Sequence, residues 1–265
     1  MPAVTDDALA PAESHGIGWR IGWTLAGFAP FVAISAVHLA TKFAPDSKLE
    51  VVTKALEIPS LALALGGSLL TTGRKPRVVV AALLFIGLAL SWLGDITLNS
   101  SLALGLGFFL SAHLTYIAMF QLAFPGRRPS WWALLAIPWF LALVVLIGPQ
   151  LGPMLPSVVI YSAILGVMAI WSTRGTALTA LGAVLFVASD TVLAFRTFTP
   201  QLQDDIWTFV VMATYLAAQA FIAMGILNAE TGRREGQERL MRNSAGNPAA
   251  SSILSWPSTL KPQRS

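Results

Sequence analysis

The chain has 265 residues, of which 55% are hydrophobic and only 11% are charged. Soluble domains carry roughly 25% charged residues, so the composition excludes an ordinary water-soluble protein and indicates an integral membrane protein. The formal net charge of +4 does not point to nucleic-acid binding, because the basic residues lie between apolar stretches and not along one stripe. The chain contains no cysteine and three histidines. This excludes disulfides and thiolate metal sites, and we expect neither a metal site nor a cofactor.

Uncharged stretches of about 20 residues, the length that crosses a bilayer, follow one another along the chain. We predict eight membrane-spanning helices at residues 19–40, 52–71, 77–98, 101–124, 130–148, 153–172, 176–197 and 205–228. The fifth and sixth share the uncharged run from Trp131 to Thr173, which is too long for one helix and contains a Gly/Pro cluster typical of a turn. Residues 1–18 are predicted to be a flexible segment, and the polar residues 229–265 a disordered basic tail. The predicted fold class is therefore all-α, an eight-helix membrane bundle.

Lysine and arginine are distributed unequally between the two ends of these helices. Seven lie on the side of the N-terminus, in the segments before the first span and after spans two, four and six, whereas Lys42, Lys48 and Arg196 lie on the other side. Because cytoplasmic loops are enriched in basic residues, we expect both termini to be cytoplasmic. In a bacterium the protein would be a multi-pass protein of the plasma (inner) membrane.

The sequence also contains a weak internal repeat. A shift of 95 residues aligns Gly87 with Gly182 and Asp95 with Asp190, which makes the third and seventh predicted helices similar. A shift of 97 aligns residues 58–60 with 155–157, in the second and sixth. Both shifts join helices that lie four apart and run in the same direction. The pattern predicts two parallel four-helix repeats.

Several polar side chains fall inside the predicted spans. An ionised aspartate at the centre of a spanning helix costs about 2.5 to 3.5 kcal/mol on insertion scales, so Asp95 and Asp190, at equivalent positions, are candidate functional residues. The other candidates are Lys54, Ser91, His113, Tyr116, Tyr161, Ser189, Tyr215 and Gln219. Within helices many of them are spaced three or four residues apart and share a face. Together they are expected to line a wet cavity for a small molecule or lipid.

Four segments carry a resemblance to a known family. They are Gly87-Leu88-x-x-Ser91-x-x-Gly94-Asp95-x-x-Leu98, Gly105-x-x-Phe108 leading to His113-x-x-Tyr116, Gly182-Ala183-x-x-Phe186-x-x-Ser189-Asp190-x-x-Leu193-Ala194, and Tyr215-x-x-Ala218-Gln219. From about Lys54 to Ile222 the chain resembles the YhhN family of membrane proteins, which includes lysoplasmalogenases. The family's Lys-Pro pair is absent here, since Ala55 follows Lys54, and the charged C-terminal tail is additional.

The resemblance implies a lysophospholipid substrate, held in the bilayer, whose sn-1 chain is joined by a vinyl ether. Hydrolysis of that bond requires an acid that protonates the β-carbon and an anion that stabilises the oxocarbenium ion and activates water. Two carboxyl groups that lie close together in surroundings of low polarity do not both ionise readily. Asp95 and Asp190 are therefore expected to divide these two roles, as paired carboxyls do in glycoside hydrolysis. His113, Tyr116 and Tyr215 are expected to orient them, and Lys54 to contact the phosphate.

Two other functions remain open from the residues alone. A proton-coupled transporter or channel also uses carboxyl groups within the membrane, and it would move a solute into liposomes without chemical turnover. A non-catalytic lipid-binding protein would be stabilised by lysolipid without forming a product.

Overall fold

A computed structural model describes residues 27–44, 47–72, 75–200, 202 and 204–246 of the chain. All regular elements in these residues are helical. The α-helices are α1 (Ala29–Ala40), α2 (Ser47–Thr72), α3 (Val78–Leu98), α4 (Leu102–Ala123), α5 (Ala136–Leu151), α6 (Leu155–Ser172), α7 (Ala177–Phe198) and α8 (Asp205–Gly246). Short 3₁₀ segments, Trp131–Leu135 and Gly152–Met154, precede α5 and α6.

Five segments are long and apolar enough to cross a membrane: Val78–Leu98, Leu102–Ala123, Trp131–Ser172, Ala177–Phe198 and Asp205–Glu238. This finding confirms the helical, membrane-like character predicted from composition. The segment Trp131–Ser172 contains both α5 and α6, and α1 is a shorter apolar helix in its described part. The number of eight crossings and the cytoplasmic location of the termini stay predictions. The predicted N-terminal segment 1–18 and residues 247–265 of the predicted tail lie outside the described residues.

The chain turns between α5 and α6 at Gly152, within the Gly/Pro cluster. Gly152 has a φ of +50°, a backbone conformation that residues with a Cβ rarely adopt. Pro149 stands inside α5, and a further proline opens α6 within its first two positions. Glycine thus permits the reversal, while proline in the first turn of α6 lacks the amide hydrogen that would have no partner within the helix.

The two glycines that the 95-residue shift aligns both lie at close helix crossings. α3 packs most extensively against α4, and α7 against α8. A Cβ on Gly87 of α3 would overlap the Tyr116 ring of α4, and a Cβ on Gly182 of α7 would come within 2.8 Å of Ile222 of α8. The two glycines that the 95-residue shift aligns therefore lie at equivalent helix crossings, where the small residue permits close approach.

α8 continues beyond the residue at which the sequence placed the end of the last span. It extends from Asp205 to Gly246, so residues 229–246 are helical where the sequence predicted a disordered tail. The side chain of Glu230 is 1% exposed and forms ion pairs with Arg77 and Arg233. The ion pair with Arg77 fixes the first turns of the extension against the start of α3.

Three arginines gather around the end of α4, and we call Arg77, Arg174 and Arg233 the arginine clamp. Arg77 donates to the carbonyl oxygens of Leu122 and Ala123. Arg233 also donates to Ala123, and Arg174 donates to Phe124. The last carbonyl groups of a helix lack partners within it and carry partial negative charge. The clamp therefore satisfies the end of α4 from three different parts of the chain.

Candidate active site

Both intramembrane aspartates line one pocket. Its empty volume is about 620 Å³, including the part that is open to solvent. Asp95 comes from α3 and Asp190 from α7, so the helices predicted to be equivalent supply one carboxyl each. The charged residues that line it are Lys42, Glu50, Lys54, Asp95, Asp190 and Arg196. We call this space the charged pocket. Lys54, Ser189 and Tyr215, which the sequence also predicted as site residues, line it as well.

Asp95 lies on the buried face of α3, one turn after Ser91, and is 6% exposed. The phenol of Tyr215 on α8 faces this carboxyl, although the two groups are not in hydrogen-bond geometry. Lys54 interacts with the same carboxyl electrostatically across the charged pocket. Asp95 therefore has a cation nearby, but among the described residues no donor is in hydrogen-bond geometry with its carboxyl group.

Asp190 has a different environment, because it accepts a hydrogen bond. The Tyr161 hydroxyl on α6 donates to Oδ2 of Asp190. The same hydroxyl lies 3.0 Å from Nε2 of His113 on α4, and that nitrogen is 3.7 Å from Oδ2. Since Tyr161 gives its single hydrogen to Asp190, its oxygen accepts from His113, which assigns the proton of a neutral imidazole to Nε2. The order of donation is thus His113 to Tyr161 to Asp190.

A second pocket, of about 430 Å³, lies on the other side of Asp190. Apart from Asp190, most of its lining is hydrophobic or aromatic, with contributions from α4, α5, α6 and α7. Trp139 of α5 forms one wall and donates a hydrogen bond of 3.0 Å to Thr191. We call this space the apolar pocket. Asp190 and Leu193 line both pockets, so the two adjoin along one face of α7.

Three cations lie around the charged pocket. Lys42 is buried and forms an ion pair with Glu50 at 2.5 Å, Lys54 is half-buried, and Arg196 donates to the carbonyl oxygen of Leu202. Glu50 precedes the predicted second span, and the hydrogen bond from Lys42 lowers the pKa of its carboxyl below the usual value. The part of the pocket that these three cations line suits an anionic group such as a phosphate. The Glu50 carboxylate lies close by.

Four of the predicted site residues lie behind the lining of these pockets. Ser91, His113, Tyr116 and Gln219 are fully buried. The Tyr116 hydroxyl donates to Oε1 of Gln219 at 2.7 Å and so joins α4 to α8. Their predicted contact with substrate stays a prediction, while their observed contacts hold the helices that carry the two aspartates.

An aromatic ring fixes the centre of this layer. Phe186 of α7 is fully buried and meets His113 and Tyr215 edge-on, with ring centroids 4.8 and 5.5 Å apart. Edge-to-face contacts of this kind restrict the orientation of a ring. Ser189, one residue before Asp190, donates to the carbonyl oxygen of Val211 on α8. Both contacts position the aspartate of α7 relative to α8.

The sequence reasoning missed part of this site. It counted Lys42 and Arg196 only among the basic residues on the side opposite the N-terminus, yet both line the charged pocket. Glu57, one turn after Lys54, faces His38 of α1 at 3.8 Å. The sequence contained one signal for Lys42 and Arg196, which is that basic residues cluster at the same end of three helices.

A sequence model of the YhhN family matches residues 49–226, which is more than half of the chain. The matched residues include all ten of the predicted site residues. No curated protein and no solved structure shows significant similarity to the chain.

Proposed function

The chain belongs to the YhhN family, and from this we propose that it is a lysoplasmalogenase-like hydrolase. Its substrate is a lysoplasmalogen, whose vinyl-ether bond is cleaved to give a fatty aldehyde and glycerophosphoethanolamine or glycerophosphocholine. One observation carries the proposal beyond family membership. The carboxyl groups of Asp95 and Asp190 line the charged pocket, and that of Asp190 also lines the adjoining apolar pocket.

The two pockets suit the two halves of such a lipid. The phosphate occupies the charged pocket near Lys54 and Arg196, because lysine and arginine form charge-assisted hydrogen bonds to phosphate oxygens. The hydrocarbon chain occupies the apolar pocket against Trp139. The vinyl ether lies between headgroup and chain, and therefore reaches the boundary of the pockets at Asp190. With the predicted orientation, the charged pocket opens toward the outer leaflet.

We assign the two aspartates to different roles. Asp190 accepts the hydrogen bond from Tyr161, and acceptance of a hydrogen bond favours a carboxylate. Asp95 has Lys54 as its cationic neighbour. A bound phosphate pairs with the Lys54 ammonium group and compensates its positive charge. Asp95 is then left in surroundings that favour the neutral carboxylic acid. Asp95 is thus the proton donor and Asp190 the carboxylate.

The reaction then proceeds in three balanced steps. The O–H bond of Asp95 breaks as a C–H bond forms at the β-carbon of the vinyl ether, which leaves an oxocarbenium ion facing the Asp190 carboxylate. Water adds to the cation and gives its proton to Asp190, forming a hemiacetal. Asp190 protonates the departing glycerol oxygen while the hemiacetal hydroxyl returns its proton to Asp95. Aldehyde and glycerol phosphodiester leave, and both aspartates regain their starting states.

A substrate panel tests the reaction. Purified protein is incubated with lysophospholipids that have vinyl-ether, alkyl-ether or acyl linkages, and the products are identified by mass spectrometry. Only the vinyl-ether lipid should give a fatty aldehyde, because an alkyl ether offers no double bond to protonate. Turnover of the acyl lipid alone would contradict the assignment.

Asparagine variants test the two carboxyl groups. Asp95→Asn and Asp190→Asn preserve shape but remove the acid and the anion, so each should slow aldehyde release by about 100-fold or more, the range for general acid–base catalysis. A wild-type rate in either variant would remove that residue from the mechanism. Solute flux into liposomes without aldehyde formation would instead favour a proton-coupled transporter.

A further inference from the structure

A further buried carboxyl group, that of Glu57, lies close to the charged pocket, at the contact of α1 and α2. Glu57 and His38 are both fully buried, and Oε1 of Glu57 lies 3.8 Å from Nε2 of His38. Among the described residues, neither carboxyl oxygen of Glu57 has a hydrogen-bond partner, and Nε2 of His38 has none. A buried polar group without a partner destabilises a fold. Packing therefore does not explain why this pair is buried. An ionisable residue at such a position is a functional candidate.

The hydrogen bonds of Thr53 define which nitrogen of His38 carries a proton. The Thr53 hydroxyl donates to the carbonyl oxygen of Leu49 at 2.7 Å, and Nδ1 of His38 lies 2.9 Å from the same hydroxyl oxygen. A hydroxyl has one hydrogen to give. Toward His38 it therefore presents only a lone pair, so Nδ1 is protonated and donates.

It follows that Nε2 of a neutral His38 presents a lone pair to the carboxyl group of Glu57. A carboxylate would place two acceptors face to face, whereas a carboxylic acid supplies the missing hydrogen. Transfer of that hydrogen to Nε2 would give an imidazolium beside a carboxylate, which contains the same number of protons. In either form, the Glu57–His38 pair holds one exchangeable proton.

The pair is close to Asp95. Trp92 of α3 donates to the carbonyl oxygen of Ala55 at 2.9 Å, which brings the segment of α3 before Asp95 against the turn of α2 before Glu57. The carboxyl groups of Glu57 and Asp95 interact electrostatically. The hydroxyl of Ser91, one turn before Asp95, is also buried and has no hydrogen-bond partner in the described part of the chain. Polar atoms of this kind are typically bridged by ordered water.

We propose that Glu57 and His38 form a buried proton store that exchanges its proton with Asp95 and so keeps Asp95 in its acid form. The exchange is balanced within the protein. The O–H bond of Glu57 breaks, an O–H bond of Asp95 forms, and the negative charge passes from Asp95 to Glu57. Glu57 is a positioning residue for the proton and does not touch the substrate. The use of the proton in turnover rests on the proposed function, whereas its presence does not.

The coupling has a definite sign. At low pH both Glu57 and Asp95 are protonated, and the pair titrates as a unit as the pH rises. After the first proton leaves, the remaining proton is able to reside on Asp95, and the new negative charge on Glu57 opposes its loss. A glutamine at position 57 cannot accept that charge. Asp95 then loses its proton in the first step, at lower pH.

Other charged groups face the store from its neighbours. His38 interacts with Lys42, Glu50 and Lys54, and Glu57 interacts with Asp95 and the same two lysines. The Lys42–Glu50 ion pair largely compensates its own charge. Since Lys54 belongs to the phosphate-binding end in the proposed function, the test is made on the substrate-free protein.

Infrared spectroscopy of the purified full chain in detergent tests the store without any substrate. The C=O stretching bands of protonated carboxyl groups are recorded against pH for wild type, Glu57→Gln and Asp95→Asn. We expect one band to vanish in Glu57→Gln and another in Asp95→Asn. In Glu57→Gln, the Asp95 band should titrate away about one pH unit or more below its wild-type midpoint. Glu238→Gln, an exposed glutamate of α8, is the matched control and should leave both bands unchanged.

His38→Gln provides a second variant in case Glu57→Gln does not fold. It should preserve the Glu57 band but shift its frequency, because the imidazole nitrogen that faces the Glu57 carboxyl is lost. The proposal is overturned if no band depends on Glu57, or if the Asp95 band titrates at the same pH with and without Glu57. A protein that shows both bands and the expected shift but releases no aldehyde would retain the store and refute the proposed function.

Discussion

Replacement of Tyr161 with phenylalanine removes one hydroxyl that joins two residues of the site. That hydroxyl donates to Asp190 and accepts from His113 at 3.0 Å. A hydrogen bond to a charged group contributes about 1.5 to 3 kcal/mol. If the bond holds the Asp190 carboxylate toward the developing cation, its loss raises the activation barrier by that amount. At about 1.4 kcal/mol per factor of ten, kcat should fall about 10- to 150-fold in Tyr161→Phe, with little change in KM.

The assay is steady-state aldehyde release from a vinyl-ether lysophospholipid, with thermal unfolding measured in parallel. Tyr116→Phe is the matched control, since it removes another buried tyrosine hydroxyl, whose hydrogen bond of 2.7 Å goes to the neutral amide of Gln219. A neutral hydrogen bond contributes about 0.5 to 1.5 kcal/mol to stability. The control should therefore lower Tm while reducing kcat less than Tyr161→Phe does. Equal losses of kcat in the two variants would refute a specific role for the Tyr161–Asp190 hydrogen bond.

The remaining predictions concern packing, the arginine clamp and the phosphate site. Gly87→Ala should destabilise the bundle by about 1 to 3 kcal/mol through overpacking, measured by thermal unfolding, whereas Gly107→Ala, with no atom within 4 Å of the added methyl group, should not. Glu230→Gln should cost about 1 to 2 kcal/mol, less than a fully buried pair because both arginine partners are more than a third exposed, and should speed proteolysis of the helix beyond residue 229. Lys54→Gln and Arg196→Gln should each raise KM about tenfold with little change in kcat, since they bind the phosphate in ground state and transition state alike.

Each of these outcomes has a clear opposite. Equal stability of the two glycine variants would show that the crossing of α3 and α4 tolerates an extra methyl group. Unchanged proteolysis in Glu230→Gln would remove the Glu230 ion pairs as the reason for the α8 extension. A fall in kcat without a rise in KM in Lys54→Gln would place that lysine in the chemical step.

Much of the helical architecture could be predicted from the sequence, because hydropathy decides where helices form in a membrane protein. The predicted spans 77–98 and 176–197 differ by at most one residue at either end from the observed α3 and α7. The end of α8 could not be predicted in the same way. Residues 229–246 are polar, and the contacts of Glu230 and Arg233 with α3 and α4 are distant in sequence.

The residues of the candidate site could also be predicted only in part. Asp95 and Asp190 were recognisable because a carboxyl group within an apolar helix is costly and because their positions repeat. Lys42 and Arg196 stand at helix ends, where a basic residue is common, so nothing local distinguishes them from interfacial lysines and arginines. The contact between His38 and Glu57 joins two helices, and helical spacing predicts only contacts within one.

The most direct measurement of the central claim is the fate of the proton that reaches carbon. Hydrolysis of a vinyl-ether lysophospholipid is run in D₂O, and the aldehyde is reduced at once to the alcohol and examined by mass spectrometry. Because Asp95 exchanges with solvent and protonates the β-carbon, the wild-type product should carry one deuterium at the carbon next to the former aldehyde carbon, and Asp95→Asn should give little product. A product without deuterium at that carbon, or full activity in Asp95→Asn, would contradict acid catalysis by the intramembrane aspartates.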